Sequence, residues 1–359
     1  MPETDFLIIG GGIAGISTAA RLSELGSVQL LEAEDGLGFH ASGRSAAMFL
    51  AGYGNDVVKA LNRASADHHR NANGGVLSPR GVLSVAKADQ EEAFRHEMQE
   101  FSMPEISVAE ALRLVPILNS ETVTFAALDT SGSDLDTDLL LQNFVKNCRK
   151  NGGQIATGQR VKGILGGTNS WRVTTNKGEY SGRILVNAAG AWVDEIAKMA
   201  GVTPLGFQPL RRSIARLPAP GGHDVTGWPM LHSAADEWYA KPDAGKWLVS
   251  PSEADPVEAH DAFVDDMVLA EGLDRYSRMV TTPVTRVETS WAGLRTFSPD
   301  SALVIGFDAK DRDFLWVAGQ GGYGFQTAPA ASQLAAELVN GQSTTLSPDI
   351  VRALSPARF

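Results

Sequence analysis

Three segments of the chain share one pattern, in which a short apolar run leads into a glycine-rich turn and then into a helix. In the first, four apolar residues at 6–9 precede GGGIAG, and apolar residues then recur at helical spacing until Gly26. The second has an apolar run at 184–186 and a turn of small residues before a helix predicted from about Trp192. The third, DFLWVAGQGGYGFQTAPAASQLAAELVNG, ends its predicted helix at Gly341. Each segment therefore predicts a strand, a tight turn and a helix.

The intervening stretches contain short runs such as GVLSVA, KWLVS and RVETSWAGL, which are typical of antiparallel strands. Because the three strand-turn-helix units are far apart in sequence, we expect them to assemble into one α/β domain with a Rossmann-like parallel sheet. This discontinuous domain is predicted to comprise 1–47, 134–200 and 301–359. The remaining segments, 48–133 and 201–300, are predicted to form an α+β domain with a mostly antiparallel sheet.

The glycines of the first turn have the spacing of a dinucleotide-binding motif, G-x-G-x-x-G. In that motif Gly10 permits the turn, Gly12 lets the backbone approach a pyrophosphate, and Gly15 lets the helix pack on the strand. The next predicted strand ends at Glu32, where a carboxylate accepts hydrogen bonds from an adenosine ribose. The motif and its context predict a dinucleotide cofactor but do not separate FAD from NAD.

Composition narrows the class of partner. The 359 residues include 42 acidic and 31 basic side chains, giving a net charge of -11, whereas a nucleic-acid surface needs clustered Lys and Arg. We therefore expect a small-molecule partner and no nucleic acid. Cys148 is the only cysteine, which excludes an internal disulfide and a cysteine-based metal site. The seven histidines show no H-x-x-x-H spacing, so no metal site is predicted.

Membrane insertion is not expected from the apolar pattern. The run from Phe6 to Ala20 contains four glycines, whereas a spanning helix needs about 20 consecutive apolar residues. The first five residues, MPETD, lack the basic residues of a secretory signal. We expect a cytoplasmic protein without an integral membrane segment, for which any membrane contact is peripheral.

The polar stretch GFHASGRSAAMF favours FAD over NAD, because a nicotinamide enzyme would usually continue through further βαβ units at this point. At residues 42–45 the chain resembles the D-amino acid oxidase superfamily of flavoproteins, which includes glycine and sarcosine oxidases and bacterial D-amino acid dehydrogenases. The resemblance implies that the discontinuous domain binds FAD and that the other domain binds substrate. It also implies that the third helix, beginning near Gly324, directs its positive dipole toward the flavin. Many sarcosine oxidases attach FAD through a late cysteine that this chain lacks, so noncovalent FAD is expected.

Over nearly its whole length the chain also resembles the bacterial D-arginine dehydrogenase group, in stretches that include HASGRSAA, DLDTDLL, LVNAAGAW, QPLRRS, YAKPDAG, ADPVEAHD, WAGLRTF and QGGYGFQT. This resemblance implies oxidation of a D-amino acid to an imino acid, which water converts to a 2-oxo acid and ammonia. The electron acceptor would be O₂ or a quinone. Alternatives within the superfamily are a glycine, sarcosine or other N-methyl amino acid oxidase and a 2-hydroxy acid dehydrogenase. A non-enzymatic or tRNA-modifying flavoprotein would need a basic surface or an appended domain.

Five residues receive roles at the reaction centre from this resemblance. Arg212 and Arg295 match the positions that hold the substrate carboxylate, and arginine has the fork geometry for that contact. Tyr53 and Tyr239 match tyrosines that hydrogen-bond the carboxylate and close over the ligand. The backbone around Gly322 would face the substrate amine. No acid-base pair or Ser-His-Asp set is predicted.

The substrate pocket is predicted to include Met48, Val82, Tyr323 and Phe325. D-arginine dehydrogenases place a glutamate where this chain has Val82 and a histidine where it has Met48. A cationic side chain would lack a partner there, so we expect a neutral or apolar substrate unless an acid in the 255–261 loop replaces the glutamate.

The residues predicted to contact FAD are Gly10, Gly12, Ile13, Ala14, Gly15, Glu32, Ala33, Ser42, Gly43, Arg44, Ser45, Ala47, Met48, Val161, Ala189, Gly190, Trp192, Arg295, Gly321, Gly322, Tyr323, Gly324, Phe325, Gln326 and Thr327.

Overall fold

The computed structural model describes residues 3–167 and 170–359. The α-helices of the described part are α1 Ile13–Leu22, α2 Asp56–Asn71, α3 Glu91–Phe101, α4 Val108–Leu114, α5 Thr137–Lys150, α6 Val193–Met199, α7 Asp266–Ser277, α8 Gly324–Asn340 and α9 Pro348–Leu354. Short 3₁₀ turns include Ala41–Arg44 and Gly190–Trp192. None of the helices in the described part is long and apolar enough to cross a membrane.

The strands of the described part are β1 Thr4–Ile9, β2 Val28–Leu31, β3 Met48–Phe49, β4 Leu77–Pro79, β5 Val82–Ala86, β6 Glu105–Ile106, β7 Phe125–Asp129, β8 Ser133–Leu135, β9 Gln154–Ala156, β10 Val161–Gly167, β11 Ser170–Thr175, β12 Glu179–Asn187, β13 Gln208–Leu217, β14 Met230–Ser233, β15 Tyr239–Asp243, β16 Lys246–Ser250, β17 Asp255–Pro256, β18 Thr289–Phe297, β19 Val304–Phe307 and β20 Phe314–Ala318.

An eight-stranded sheet is built around β1, with the order β10-β11-β12-β1-β2-β9. Strand β1 pairs in parallel with β12 and β2, and its last four residues are buried, as expected for a central strand covered on both faces. The long strand β12 continues past β11 and pairs in parallel with β20, which carries β19 on its other edge. The strands of all three predicted units, β1, β12 and β20, therefore lie side by side.

A nine-stranded sheet has the order β17-β13-β16-β15-β14-β5-β7-β6, with β18 also paired to β13. All its pairings are antiparallel except that between β5 and β14. Strands β3, β8 and β4 form a separate three-stranded sheet. The predicted fold class, an α/β part with a parallel sheet and an α+β part with a mostly antiparallel sheet, is confirmed.

The core of the eight-stranded sheet is closed by four helices. Helix α1 packs against α8 and α5, and α8 packs in turn against α2. Val58 and Leu61 of α2 are fully buried in the same cluster as Ile8 of β1. Helix α2 thus packs on the eight-stranded sheet although its sequence lies in the 48–133 segment, and the predicted domain boundaries remain a prediction.

Candidate active site

A cavity of about 720 Å³ lies between the two large sheets and is lined by residues of both. On one side it meets the carboxyl end of β1, where ligands bind in open parallel sheets. On the other side it is walled by strands β5, β13, β14, β15 and β18 of the antiparallel sheet. The residues predicted to bind the cofactor and those predicted to bind the substrate therefore line the same cavity.

The first glycine turn has the tight geometry that its sequence predicts. Gly10 has φ +111°, and a Cβ there would lie 2.3 Å from the carbonyl oxygen of Ala188. A Cβ on Gly15 would lie 1.9 Å from the carbonyl oxygen of Gly10, so helix α1 packs too closely on β1 for any side chain. Gly12 lines the cavity, and the only contact that its Cβ would make is with Ser42 Oγ at 3.2 Å. The backbone is therefore open to a ligand at Gly12.

Glu32 lies at the predicted end of the second strand and is buried at the cavity wall. Its carboxylate accepts hydrogen bonds from the backbone N–H groups of Gly11 and Glu34. These bonds fix the carboxylate beside the glycine turn and leave acceptor capacity for ribose hydroxyls. Glu34 also lines the cavity and bonds His40 Nε2 at 3.1 Å and Arg160 at 2.9 Å, a second acidic contact that the sequence analysis missed.

The polar loop after β2 connects the two sides of the cavity. Arg44 lines the cavity, and its guanidinium donates to the carbonyl oxygens of Ala262 at 3.0 Å and Ala292 at 2.9 Å. It also forms an ion pair with Asp261. Gly43 donates instead to the carbonyl oxygen of Gly38 at 2.6 Å, so its contribution is the shape of the loop.

Helix α8 begins at the cavity with a glycine-rich turn. Gly321 has φ +50°, and a Cβ on Gly322 would lie 3.3 Å from Arg295 Nη1. The Gln326 side chain accepts from the backbone N–H of Leu50 at 2.7 Å and so holds the β3 loop against the helix. The N-terminus of this 17-residue helix thus directs its positive dipole into the cavity.

Most of the residues predicted for the site line this cavity, and four do not. Those that line it are Gly10, Gly12, Ile13, Ala14, Glu32, Ala33, Ser42, Arg44, Ser45, Ala47, Met48, Tyr53, Val82, Val161, Ala189, Gly190, Trp192, Arg212, Tyr239, Arg295, Gly321, Gly322, Gly324, Phe325 and Gln326. Gly15 and Gly43 shape turns behind it. Tyr323 packs edge-on against Tyr53, with ring centroids 5.3 Å apart. The Thr327 hydroxyl donates to the carbonyl oxygen of Tyr323 within α8.

Arg212 and Arg295 project into the cavity from neighbouring strands. In the β13–β18 ladder Arg212 lies opposite Gly293, and Arg295 lies opposite Leu210. The two arginines are therefore diagonal neighbours, and because side chains two positions apart share a face, both point the same way. Arg211 points to the other face and pairs with Asp255 at 2.8 Å. The sheet geometry thus shows that Arg212, and not Arg211, faces the cavity. From the sequence, Arg212 could be preferred only by the family resemblance.

Among the described residues neither cavity arginine forms a salt bridge, although the charge of Asp236 acts on both. Burial and the charge of Arg295 lower the pKa of Arg212. Burial alone would also lower the pKa of Arg295, but Tyr239, Tyr53 and its other polar neighbours raise it above its ordinary value. Two like charges are therefore held close together in a partly desolvated site, which is favourable for binding an anion.

An apolar wall lies beside the arginines. Met48 and Val82 are buried in a cluster with Met103, and all three line the cavity. Val82 on β5 lies beside Met230 on β14, which also lines the cavity. The expected apolar pocket residues Met48 and Val82 are thus brought together.

Four charged residues at the edge of this wall were not predicted from the sequence. Glu97, Asp129, His232 and Asp236 all line the cavity. They are separated by up to 139 positions, and no local motif marks them. Two of the three acids in the 255–261 loop are engaged elsewhere, because Asp255 pairs with Arg211 and Asp261 with Arg44. The third, Glu258, is not among the residues that line the cavity. Among the described residues there is no cluster of His, Cys, Asp and Glu that could hold a metal ion.

These features fit FAD. The N-termini of α1 and α8 are far apart in sequence but line the same cavity. The N–H groups and positive dipole of α1 suit a pyrophosphate, and those of α8 suit a reduced flavin. The space that glycines leave at Gly12 and Gly322 admits a planar or phosphate group against backbone. Cys148 is buried and does not line the cavity, so no thiol is available there for covalent attachment.

Comparison with known proteins agrees with this fit. Hydrogen cyanide synthase subunit HcnC of Pseudomonas aeruginosa is 29% identical over 226 residues, which span 61% of this chain and about half, 51%, of that protein. The fold matches L-proline dehydrogenase from P. horikoshii with a TM-score of 0.84 and 24% identity, covering 100% of this chain and 98% of that one. It matches glycine oxidase from Geobacillus kaustophilus with a TM-score of 0.84 and 20% identity, covering 100% of both chains.

The profile of one protein family, described as "DAO: FAD dependent oxidoreductase", matches residues 5–338. That match includes the three strand-turn-helix units, both cavity arginines and nearly all of both large sheets. The chain therefore belongs to the DAO family of FAD-dependent oxidoreductases.

Proposed function

We propose that this protein oxidises the Cα–N bond of a free D-amino acid with a neutral side chain at noncovalently bound FAD. The observation that carries the proposal is that the guanidinium groups of Arg212 and Arg295 lie on one face of the cavity, and neither forms a salt bridge with another described residue. Two guanidinium forks match the geometry and charge of an α-carboxylate. Glycine oxidase and L-proline dehydrogenase, both named for amino acid substrates, share the fold and support the same substrate class.

Bound FAD would supply an acceptor for a hydride from Cα, and water would hydrolyse the resulting C=N bond to a 2-oxo acid and ammonia. The protein contributes position and electrostatics. Arg212 and Arg295 hold the carboxylate, and Tyr239, which is buried and lines the cavity, orients it. The backbone of Gly322 faces the amine, and the N-terminus of α8 stabilises the negative charge that develops beside it.

The surroundings of Tyr53 suit a residue that moves to cover the bound substrate. It lies between Gly52 and Gly54, where Gly54 has φ +98°, and its ring rests edge-on against Tyr323. A residue between two glycines can move with little steric cost. We infer that Tyr53 closes over the bound amino acid and helps to exclude water.

No strong base is required in this mechanism, because the lone pair of a neutral amine drives formation of the C=N bond. His232 is the titratable base nearest the apolar wall, and both of its ring nitrogens face carboxylates. The substrate therefore has to react with its amine neutral, and the rate should rise with pH until the bound amine has lost its proton.

Side-chain selectivity is inferred from the apolar wall. A cationic tail packed against Met48 and Val82 would lose its hydration at a cost of several kcal/mol. Two of the carboxylates that line the cavity beside them, Glu97 and Asp236, already face His232. An apolar tail would instead gain roughly 0.8 kcal/mol per buried CH₂. The D configuration and a quinone or O₂ as electron acceptor are inferred from the resemblance to D-arginine dehydrogenases. The solved structures of similar fold include glycine oxidase and L-proline dehydrogenase, so both enantiomers are compared in the test below.

Steady-state kcat/KM values for both enantiomers of alanine, leucine and methionine, and for D-arginine, test the proposal. We expect D-methionine or D-leucine to exceed its L enantiomer and D-arginine by at least tenfold. Turnover only with sarcosine or another N-methyl amino acid, or only with a 2-hydroxy acid, would replace the proposal by that activity. Precipitation with trichloroacetic acid should leave yellow FAD in the supernatant, whereas a yellow pellet would contradict noncovalent binding.

A further inference from the structure

The wall of the substrate pocket changes from apolar to charged along two neighbouring strands. In the parallel pair of β5 and β14, Val82 lies beside Met230, and Ser84 lies beside His232 two positions later. Because residues two apart on a strand share a face, the apolar pair and the polar pair belong to one continuous surface. Val82, Met230 and His232 line the cavity, and Ser84 is fully buried behind it.

His232 is held between two carboxylates. Its Nδ1 lies 2.9 Å from Glu97 Oε1, and its Nε2 lies 3.5 Å from Asp236 Oδ1. The Ser84 hydroxyl donates to the other oxygen of Glu97, so that carboxylate is bonded on both sides. We call Glu97, His232 and Asp236 the carboxylate–histidine trio.

The trio carries a net negative charge at neutral pH. Burial would lower the pKa of His232, but the two flanking carboxylates raise it to about 9 and keep the ring protonated. Burial would raise the pKa of Asp236, yet His232 and then Arg212 lower it, so Asp236 is ionised. One positive charge thus lies between two negative charges at the cavity wall, and Asp236 also interacts with the charges of Arg212 and Arg295.

Asp236 has the acceptor capacity that the other two members of the trio lack. Its carboxylate interacts with His232 and with the Ser252 hydroxyl, yet 69% of its side-chain surface remains accessible, and the residue lines the cavity. It has φ +51° in the tight turn between β14 and β15, where its N–H donates to the carbonyl oxygen of Ser233 at 2.8 Å. Such a left-handed conformation is uncommon outside glycine and is retained where the surrounding turn enforces it.

From this arrangement we infer that Asp236, positioned by His232 and Glu97, is a specificity-determining residue that accepts a hydrogen bond from a donor group at the end of the substrate side chain. The inference rests on the proposed oxidation of an amino acid. Among the neutral side chains of that proposal, those that end in N–H or O–H groups beyond an apolar stem are favoured, with the stem against Val82 and Met230. A side chain that ends in a carboxylate has no hydrogen to donate to Asp236 and is repelled by it.

D-glutamine, D-glutamate and D-methionine test this inference, because their side chains are similar in length but end in a donor, an anion and an apolar group. For the wild-type holoenzyme we expect kcat/KM for D-glutamine to exceed that for D-glutamate by at least tenfold. In Asp236→Asn this ratio should fall at least tenfold, with kcat/KM for D-methionine changed less than threefold. His232→Gln should lower the ratio in the same direction without lowering kcat for D-methionine.

Glu237→Gln is the matched control, because it removes the same charge from the same turn at a residue that does not line the cavity. It should leave the ratio unchanged. An unchanged ratio in Asp236→Asn, at wild-type flavin content, would overturn the inference, and Asp236→Ser gives a second measurement if the first variant loses FAD. D-arginine as the best substrate would contradict the neutral side chain of the proposed function but not the role of Asp236. Failure of every amino acid to reduce the wild-type flavin would overturn both.

Discussion

Arg212 on β13 and Arg295 on β18 are diagonal neighbours across one antiparallel ladder, with Gly293 opposite the first and Leu210 opposite the second. The glycine opposite Arg212 lets the 41–44 loop pack on β18, because a Cβ there would lie 3.4 Å from Arg44 Cβ. The sheet thus places two guanidinium groups, 83 positions apart in the chain, at one cavity wall, and neither forms a salt bridge with another described residue. This relationship underlies the proposed recognition of an α-carboxylate.

Replacing either arginine should remove activity while keeping the cofactor. Arg295→Met is expected to lower kcat/KM at least a hundredfold, because the loss of a charge-assisted contact to a carboxylate costs about 3 kcal/mol. Arg211→Met is the control, since Arg211 lies next to Arg212 on β13 but points to the other face and pairs with Asp255. Steady-state kinetics and the ratio of flavin to protein absorbance measure both effects. Wild-type kinetics in Arg295→Met would exclude it from the carboxylate site.

Glu32 should act on cofactor retention and not on turnover. Its buried carboxylate holds the backbone of Gly11 and Glu34, and an alanine there would loosen the ribose site. Glu32→Ala is expected to purify with less FAD and to regain near wild-type kcat when saturated with added FAD. Glu24→Gln, at an exposed position after α1, should bind FAD normally. Full FAD occupancy of Glu32→Ala on dilution would contradict the assignment.

Stability should depend on the protonation of His232. Because its pKa is raised from 6.5 to about 9 in the folded protein, protonation stabilises the fold fully below pH 6.5, and this contribution is lost as pH rises through 9. At about 1.4 kcal/mol per pKa unit, the contribution is roughly 3 kcal/mol. The difference in free energy of unfolding between wild type and His232→Gln should therefore shrink between pH 6.5 and pH 10. Urea titrations measure it, and a difference that is constant with pH would show that His232 does not titrate in this range.

Gly10 should tolerate no side chain. With φ +111° and a Cβ position 2.3 Å from the carbonyl oxygen of Ala188, Gly10→Ala would strain the turn and push β1 away from β12. We expect loss of bound FAD and a lower melting temperature. Gly36→Ala, where a Cβ meets no atom within 4 Å, is the control. A stable Gly10→Ala protein that purifies with its full content of FAD would show that the turn can relax.

The sequence was sufficient where the signal is local. Each strand-turn-helix unit is contiguous, so the glycines at Gly10 and Gly12 and the start of α8 at Gly324 could be placed from spacing alone. Strand alternation by itself puts Arg211 and Arg212 on opposite faces but does not say which face meets the cavity. That required the register with β18, which follows only from the folded chain.

The charged edge of the pocket could not be predicted for the same reason. Glu97 belongs to α3 and His232 to β14, and they meet because β5 pairs with β14 while α3 packs across β5. Neither residue lies in a motif, and each alone resembles an ordinary surface residue. The expected apolar pocket at Met48 and Val82 was therefore described without the charges that lie beside it.

Anaerobic reduction of the bound flavin by single amino acids tests the central claim most directly, because it needs no electron acceptor and no assumption about the product. Wild-type protein mixed with D-methionine should lose the visible absorbance of its oxidised flavin much faster than with L-methionine. Arg212→Met and Arg295→Met should bleach at least a hundredfold more slowly at the same concentration. Rapid bleaching of the wild type by D-methionine together with slow bleaching of both variants is the predicted result. An oxidised flavin that no amino acid reduces, or equally rapid bleaching in the two variants, would contradict the account.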